Sequence, residues 1–230
     1  MRCEVKVSRL ENPSGRIRGF VNVVFNDCFK VSNIAVVEGK EGNMFISMPR
    51  YATSKGDEDY KDVCNPITKE FREELYDAIM EAYNSLYPGE HTKTTVGEGE
   101  KKDPLGFNVK ATPFEREGSN IRGLARVYLE DAFVVNNVSL LEGKHGLFVA
   151  MPSYRVKQAG GNGKSEYQDI CYPVTKAFRE KLYGAVTEAY ELAKGKKEKE
   201  PVSEKPEKKG KERDKDEKWL ETLARDTPFR

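Results

Sequence analysis

CNPITKEFREELYDAIMEAY (residues 64–83) and CYPVTKAFREKLYGAVTEAY (residues 171–190) occur in one chain, and 13 of their 20 positions are identical. Each carries apolar residues at helical spacing. Phe71, Leu75, Ala78, Ile79, Ala82 and Leu86 form the stripe of the first, and Phe178, Leu182, Ala185, Val186 and Ala189 that of the second. Thr68 and Thr175 stand where such helices need an N-cap. The spacing predicts helices over 68–87 and about 175–193.

Upstream of both stretches the period changes from 3.6 to two. Val5 and Val7 alternate with polar residues, and Asn12-Pro13-Ser14-Gly15 is a turn. Ile17, Gly19, Val21, Val23 and Phe25 share one face of a second strand, which Asn26-Asp27 reverses. Phe29 to Val37 reads as a third strand, Glu38 to Gly42 as a Gly-bounded loop, Met44 to Met48 as a fourth strand, and Tyr60 to Cys64 as a short fifth. The same order returns in the second half: Ile17-Arg18-Gly19 matches Ile121-Arg122-Gly123, and Met48-Pro49 matches Met151-Pro152. Insertions and deletions between the halves are loop-sized, so the chain holds two copies of one domain. We place them at 1–88 and 105–194, with a flexible linker at 89–104 of Gly, Thr, Glu and Lys. Residues 195–230 mix Lys and Glu with three prolines and read as a disordered charged tail. A meander of four or five antiparallel strands followed by one helix, twice over, is an α+β fold.

Of 230 residues, 33% are charged and 37% apolar, and the net charge is +1. No run of 18 apolar residues is present, which excludes a spanning helix, and the opening residues lack the apolar core of a secretion signal. Cys3, Cys28, Cys64 and Cys171 form no CxxC pair, so a reducing cytoplasmic setting is expected. The two histidines, His91 and His145, have no ligand-like neighbours, which argues against metal or histidine chemistry. Neither a cofactor nor an enzymatic role is expected.

The second copy's Glu142-Gly143-Lys144-His145-Gly146-Leu147-Phe148-Val149-Ala150-Met151-Pro152-Ser153, with Tyr167-Gln168-Asp169-Ile170-Cys171-Tyr172-Pro173-Val174 behind it, resembles the septation protein SpoVG family. The first copy follows the pattern more loosely, through Asn43-Met44-Phe45-Ile46-Ser47-Met48-Pro49-Arg50 and Tyr60-Lys61-Asp62-Val63-Cys64-Asn65-Pro66-Ile67. The resemblance covers about four fifths of the chain. It implies a small bacterial regulator, linked to sporulation and cell septation, that binds DNA or RNA and pairs as a dimer. Two copies in one chain imply that this pairing is an internal pseudo-dimer, with strand edges buried near the Met-Pro segments; further oligomerisation stays open.

Charge gives limited support to nucleic-acid binding. Residues 1–90 carry a net −3, residues 91–104 a net 0, residues 105–193 a net +1 and residues 194–230 a net +3. A strong nonspecific binder would have a plainly basic domain. Binding must therefore use local clusters. Arg18 and Arg122 alternate away from the core face, and Lys40 and Lys144 sit at hairpin tips. The segment after Met-Pro adds Arg50 and Tyr51 in the first copy, and Tyr154, Arg155, Lys157 and Lys164 in the second. The tyrosines are suited to stacking on unpaired bases. Each of these cations can equally belong to a solvated face. For Arg72 and Arg179, a bridge to helix carboxylates is the expectation.

Other features are set aside. Gly160-Gly161-Asn162-Gly163-Lys164-Ser165 ends like a phosphate loop, but Gln158 occupies the position of the first required Gly. Cys64 and Cys171 read as buried thiols, Asp62 and Asp169 as strand-end hydrogen-bonding groups, and Glu73 and Glu180 as solvated helix residues. An alternative function remains open: a protein-interaction module in cell division, engaging a partner through a sheet edge or the Trp219 segment of the tail.

Overall fold

The computed structural model describes residues 1–52, 60–97, 104–114, 118–156 and 166–199. The first copy runs β1 (Cys3–Arg9), β2 (Ile17–Phe25), β3 (Phe29–Glu38), β4 (Met44–Ser47), β5 (Arg50–Ala52), β6 (Tyr60–Asp62), β7 (Cys64–Pro66) and α1 (Lys69–Asn84), and then β8 (His91–Val96). The second runs β9 (Phe107–Pro113), β10 (Ile121–Leu129), β11 (Phe133–Gly143), β12 (Gly146–Ala150), β13 (Ser153–Val156), β14 (Glu166–Asp169), β15 (Cys171–Pro173) and α2 (Lys176–Lys199). Among the described residues every strand pairing is antiparallel, so the α+β meander expected from the period change is present twice.

The two main sheets each contain a strand of the other copy. One has the order β15-β3-β2-β1-β8, with β4 also on β3; the other has β12-β11-β10-β9, with β7 also on β11. β3 therefore has two partners along one edge. Ala35 to Glu38 pair with β4 of the same copy, whereas Phe29 to Val31 pair with β15 of the other. Asn33 divides the two stretches: its φ of 63° is left-handed, and the β2–β3 register shifts beside it. Asn137, with φ 62°, does the same for β11 between β7 and β12. Asparagine tolerates this conformation better than a branched residue does, and a bulge there bends the strand so that a second partner can join. The junction is closed by main-chain bonds from Ser32 N to Ile170 O and from Asn136 N to Val63 O, both 2.8 Å.

One buried cluster runs through both halves. Phe25 of the first copy meets Phe133 of the second with ring centroids 4.9 Å apart, and Phe29 lies 6.3 Å from Phe178 on α2. Phe25, Phe29 and Phe133 are fully buried, each contributing roughly 1.5–3 kcal/mol of transfer free energy. Cys64 and Cys171 also sit in this shared core, both free and both fully buried. Burial and the neighbouring Cys64 thiol push the Cys171 thiol well above its ordinary pKa, so it remains protonated.

The helices start as the threonines require. Thr68 Oγ1 accepts from Phe71 N at 3.4 Å and Thr175 Oγ1 from Phe178 N at 3.3 Å. α1 ends at Asn84, shorter than its apolar stripe, and α2 extends to Lys199, beyond the expected 193. The repeated Ile-Arg-Gly has a packing reason. A Cβ on Gly19 would lie 2.7 Å from Ser8 O and 3.2 Å from the Tyr83 ring, and one on Gly123 would lie 2.7 Å from the Tyr190 ring. Each helix thus lays a buried tyrosine across a glycine of the second strand. Gly19→Ala is expected to destabilise by about 1–3 kcal/mol in chemical melts, because backbone as well as ring must move.

The strand expected over Tyr60 to Cys64 is two, β6 and β7, broken at Val63, and β5 and β13 add a strand after each Met-Pro; a further difference lies past α1. His91 to Val96, inside the stretch expected to be a flexible linker, forms β8 along the outer edge of β1, with Lys6 opposite Lys93 and Cys3 opposite Val96. Thr92, Thr94, Thr95 and Val96 are β-branched and suit an edge strand, although their polarity reads as linker. The expected disordered tail overlaps α2 at 195–199, and its remainder lies outside the described residues. None of the described helices is long and apolar enough to cross a membrane.

Candidate nucleic-acid interface

The segments that follow each Met-Pro are two-stranded arms. β5 pairs with β6, placing Arg50 opposite Asp62, Tyr51 opposite Lys61 and Ala52 opposite Tyr60. β13 pairs with β14, placing Tyr154 opposite Gln168 and Arg155 opposite Tyr167. Buried Met48 and Met151 root the arms in the core. The prolines that follow lack N–H groups, but their carbonyls still accept: Val63 N bonds Pro49 O and Ile170 N bonds Pro152 O, both at 2.8 Å. Each arm base is thereby fixed beside the strand that crosses to the other copy.

The sequence candidates fall into three groups. Arg50 and Arg155 on the arms, and Lys40 and Lys144 at the β3–β4 and β11–β12 tips, are exposed. Arg50 also donates to Ser47 Oγ at 2.9 Å. Arg18 and Arg122 are held by their own hairpins instead. Arg18 pairs with Glu38 and donates to Gly15 O; Arg122 meets Glu142 through Nε at 2.7 Å and Nη2 at 2.6 Å and donates to Ser119 O. Such pairing neutralises their charge toward a phosphate. Lys157 and Lys164 lie outside the described residues.

The tyrosines are not loose platforms. Tyr51 leaves its own copy and packs on the second copy's Ile121, Leu124 and Leu141, on the sheet face turned away from α2. Tyr154 donates its hydroxyl to Gln168 Oε1 at 2.6 Å, which holds its ring along the arm. Arg72 and Arg179 donate to the carbonyls of Pro66 and Pro173, at 3.1 and 3.3 Å, rather than to helix carboxylates. Among the described residues the ion pairs along the helices are Lys69–Glu73 and Lys176–Glu180, both 3.7 Å and well exposed, hence of little energetic weight.

Exposed aromatics were absent from the sequence candidates. Tyr60 and Tyr167 are 51% and 41% exposed on the arms, and Phe45 and Phe148 are 41% and 50% exposed on β4 and β12. The two phenylalanines sit in apolar runs that read as core. The signal was alternation: Val149 points into the core, so Phe148 points out.

Asp62 and Asp169 at the arm bases are raised above the ordinary carboxylate range by burial, an effect opposed by Arg50 and Arg179 respectively. A raised native pKa means that the folded state holds its proton longer than the unfolded chain does. Stability is then fully present below the unfolded pKa and falls as pH climbs through the carboxylate range. Asp169→Asn is expected to remove part of that fall, which urea melts of both proteins at acid and neutral pH will show; an unchanged pH profile would contradict it.

The geometry can be set beside known proteins. The family model described as SpoVG matches residues 1–85 and again 106–192. A protein of Treponema denticola described as "Putative septation protein SpoVG" is 36% identical over 92 residues, which are 39% of this chain and 95% of that protein. Proteins with the same description from Desulforudis audaxviator and Borrelia hermsii are 43% identical over 75 residues and 39% identical over 82. These matches take 33% and 35% of this chain, and 78% and 82% of the relatives. One copy of the repeat therefore accounts for most of each relative's length. This chain belongs to the SpoVG family and carries the family's domain twice in tandem.

Proposed function

We propose that the chain is a nucleic-acid-binding regulatory protein, non-enzymatic, working in septation, the word its relatives' descriptions carry, and in sporulation, as the family resemblance implies. In this reading the two copies act as an internal pseudo-dimer, and DNA or RNA runs along the arms and the adjoining hairpin tips. The observation that carries it is the pair of arms, each rooted at a copy junction and bearing an exposed arginine and an exposed tyrosine. In the second arm these stand opposite each other (Arg155 and Tyr167), whereas in the first Arg50 faces Asp62 and Tyr60 faces Ala52. Arginine supplies the phosphate contact and the ring a stacking surface for an unpaired base. Reciprocal strand exchange supports the pseudo-dimer, since each sheet is completed by the other copy. Four free cysteines suit a reducing cytoplasm.

The test is a titration of wild type, Arg50→Ala, Arg155→Ala and Tyr167→Ala against duplex and single-stranded oligonucleotides at several salt concentrations. Each arginine variant is expected to weaken binding evenly across sequences and to lower the salt slope by about one unit. Tyr167→Ala is expected to weaken single strands by about 1–3 kcal/mol and duplex much less. Unchanged affinity in all three, with folding intact, would place the interface elsewhere.

A second reading, a protein-interaction module, is favoured by one observation. β8 covers the edge of β1, yet among the described residues no strand pairs with the matching outer edge of β9. An open edge is a template for an added strand.

A further inference from the structure

On the second copy's sheet, the face turned away from α2 carries a cleft of about 520 Å3. Cross-strand pairing builds its floor: Ile121 stands opposite Leu141, Leu141 opposite Phe148, and Ala150 opposite Ser139 in the next row. Ser119 and Asn120, in the turn before β10, form the polar rim. Ile121 and Leu141 are almost wholly buried, whereas Phe148 keeps half of its surface exposed. Ser119 Oγ accepts from Ile121 N at 3.2 Å, and Asn120 O accepts from Glu142 N at 2.8 Å. These bonds hold the turn in place. Asn120 itself is exposed, and among the described residues nothing bonds its side-chain amide.

We infer that this cleft receives one unpaired nucleobase of a bound single strand, with Phe148 as its stacking face and the Asn120 amide reading its edge. The inference rests on the proposed function and names where a strand lying on that surface would be read. A flat heterocycle matches the chemistry, since it needs an apolar floor, one aromatic face and a donor–acceptor pair at the rim. The surroundings suit the sugar-phosphate chain. Lys144 is exposed at the tip of the same hairpin, and Glu142, a carboxylate that lines the cleft, is paired with Arg122. Tyr51 packs on the adjoining part of the same apolar floor, so the Arg50 arm adjoins the cleft.

The first copy lines the matching position differently. Arg16 stands at the position of Asn120, Val37 at that of Leu141 and Ser47 at that of Ala150. Ser47 is moreover bonded to Arg50. The rim amide is therefore peculiar to the second copy, although Phe45 keeps the exposed ring in the first.

The experiment titrates the full chain into short single-stranded oligonucleotides carrying a fluorescent adenine analogue, alongside Phe148→Leu and Asn120→Ala. Wild type is expected to quench the analogue on binding. Phe148→Leu is expected to abolish the quench and weaken single-strand affinity roughly tenfold, leaving duplex affinity unchanged. Asn120→Ala is expected to keep the quench and level the preference among homopolymers; because Asn120 is exposed, this variant reports even if Phe148→Leu folds poorly. Wild-type binding without a quench, or equal affinity and preference in both variants, would overturn the slot while leaving the proposed function standing. Failure of wild type to bind any nucleic acid at low salt would overturn both.

Discussion

Phe133→Ala is expected to cost about 3–5 kcal/mol, enough to remove much of the stability of an ordinary domain. Phe133 opens β11, is fully buried, and lies against Phe25 of the other copy, so its ring closes the core between the halves. The cavity left by truncation would be lined from both copies and could not close without moving one sheet relative to the other. Phe25→Ala should cost a similar amount, and the double variant clearly less than the sum, because the two rings share one contact. Urea melts measure this, and a loss below 1 kcal/mol for either single variant would show that the halves do not share a core.

Separating the copies should have the other large effect. A fragment of residues 1–97 contains β1 to β8 and α1, but Phe29 to Val31 lose β15 and β7 loses β11. Phe25 and Phe29 would face water in place of Phe133 and Phe178. The fragment is expected to be unfolded when dilute and to form a homodimer when concentrated, the β7 of each chain taking the place of β15 on the other. Its melting point should then rise with protein concentration. Light scattering that finds a stably folded monomer would contradict the exchange.

Much of this fold was legible in the chain. The duplicated helix stripe and the switch from period two to 3.6 located both copies, their meanders and both helices, because burying one face imposes those spacings directly. β8 was not legible. Its residues are polar, as an edge strand's are, and only β1 makes them a strand. The destination of β7 and β15 was equally hidden: three residues pair with whichever edge the fold brings near, and nothing in Cys64-Asn65-Pro66 names that edge. At the candidate interface, the sequence offered basic side chains but not their partners. Glu38 and Glu142 lie 20 residues from the arginines they neutralise, and only strand register joins them. Phe148 was missed for the opposite reason, since an apolar residue in an apolar run reads as core until its neighbours' directions are known.

The central claim is that two SpoVG domains, joined by exchanged strands, present one nucleic-acid-binding surface. Its most direct test is the association constant of the full chain for a single-stranded oligonucleotide across a series of salt concentrations. Saturable binding is expected, with log K falling linearly against log salt at a slope equivalent to a few phosphate contacts at about 0.7 each. No detectable binding at low salt would contradict it.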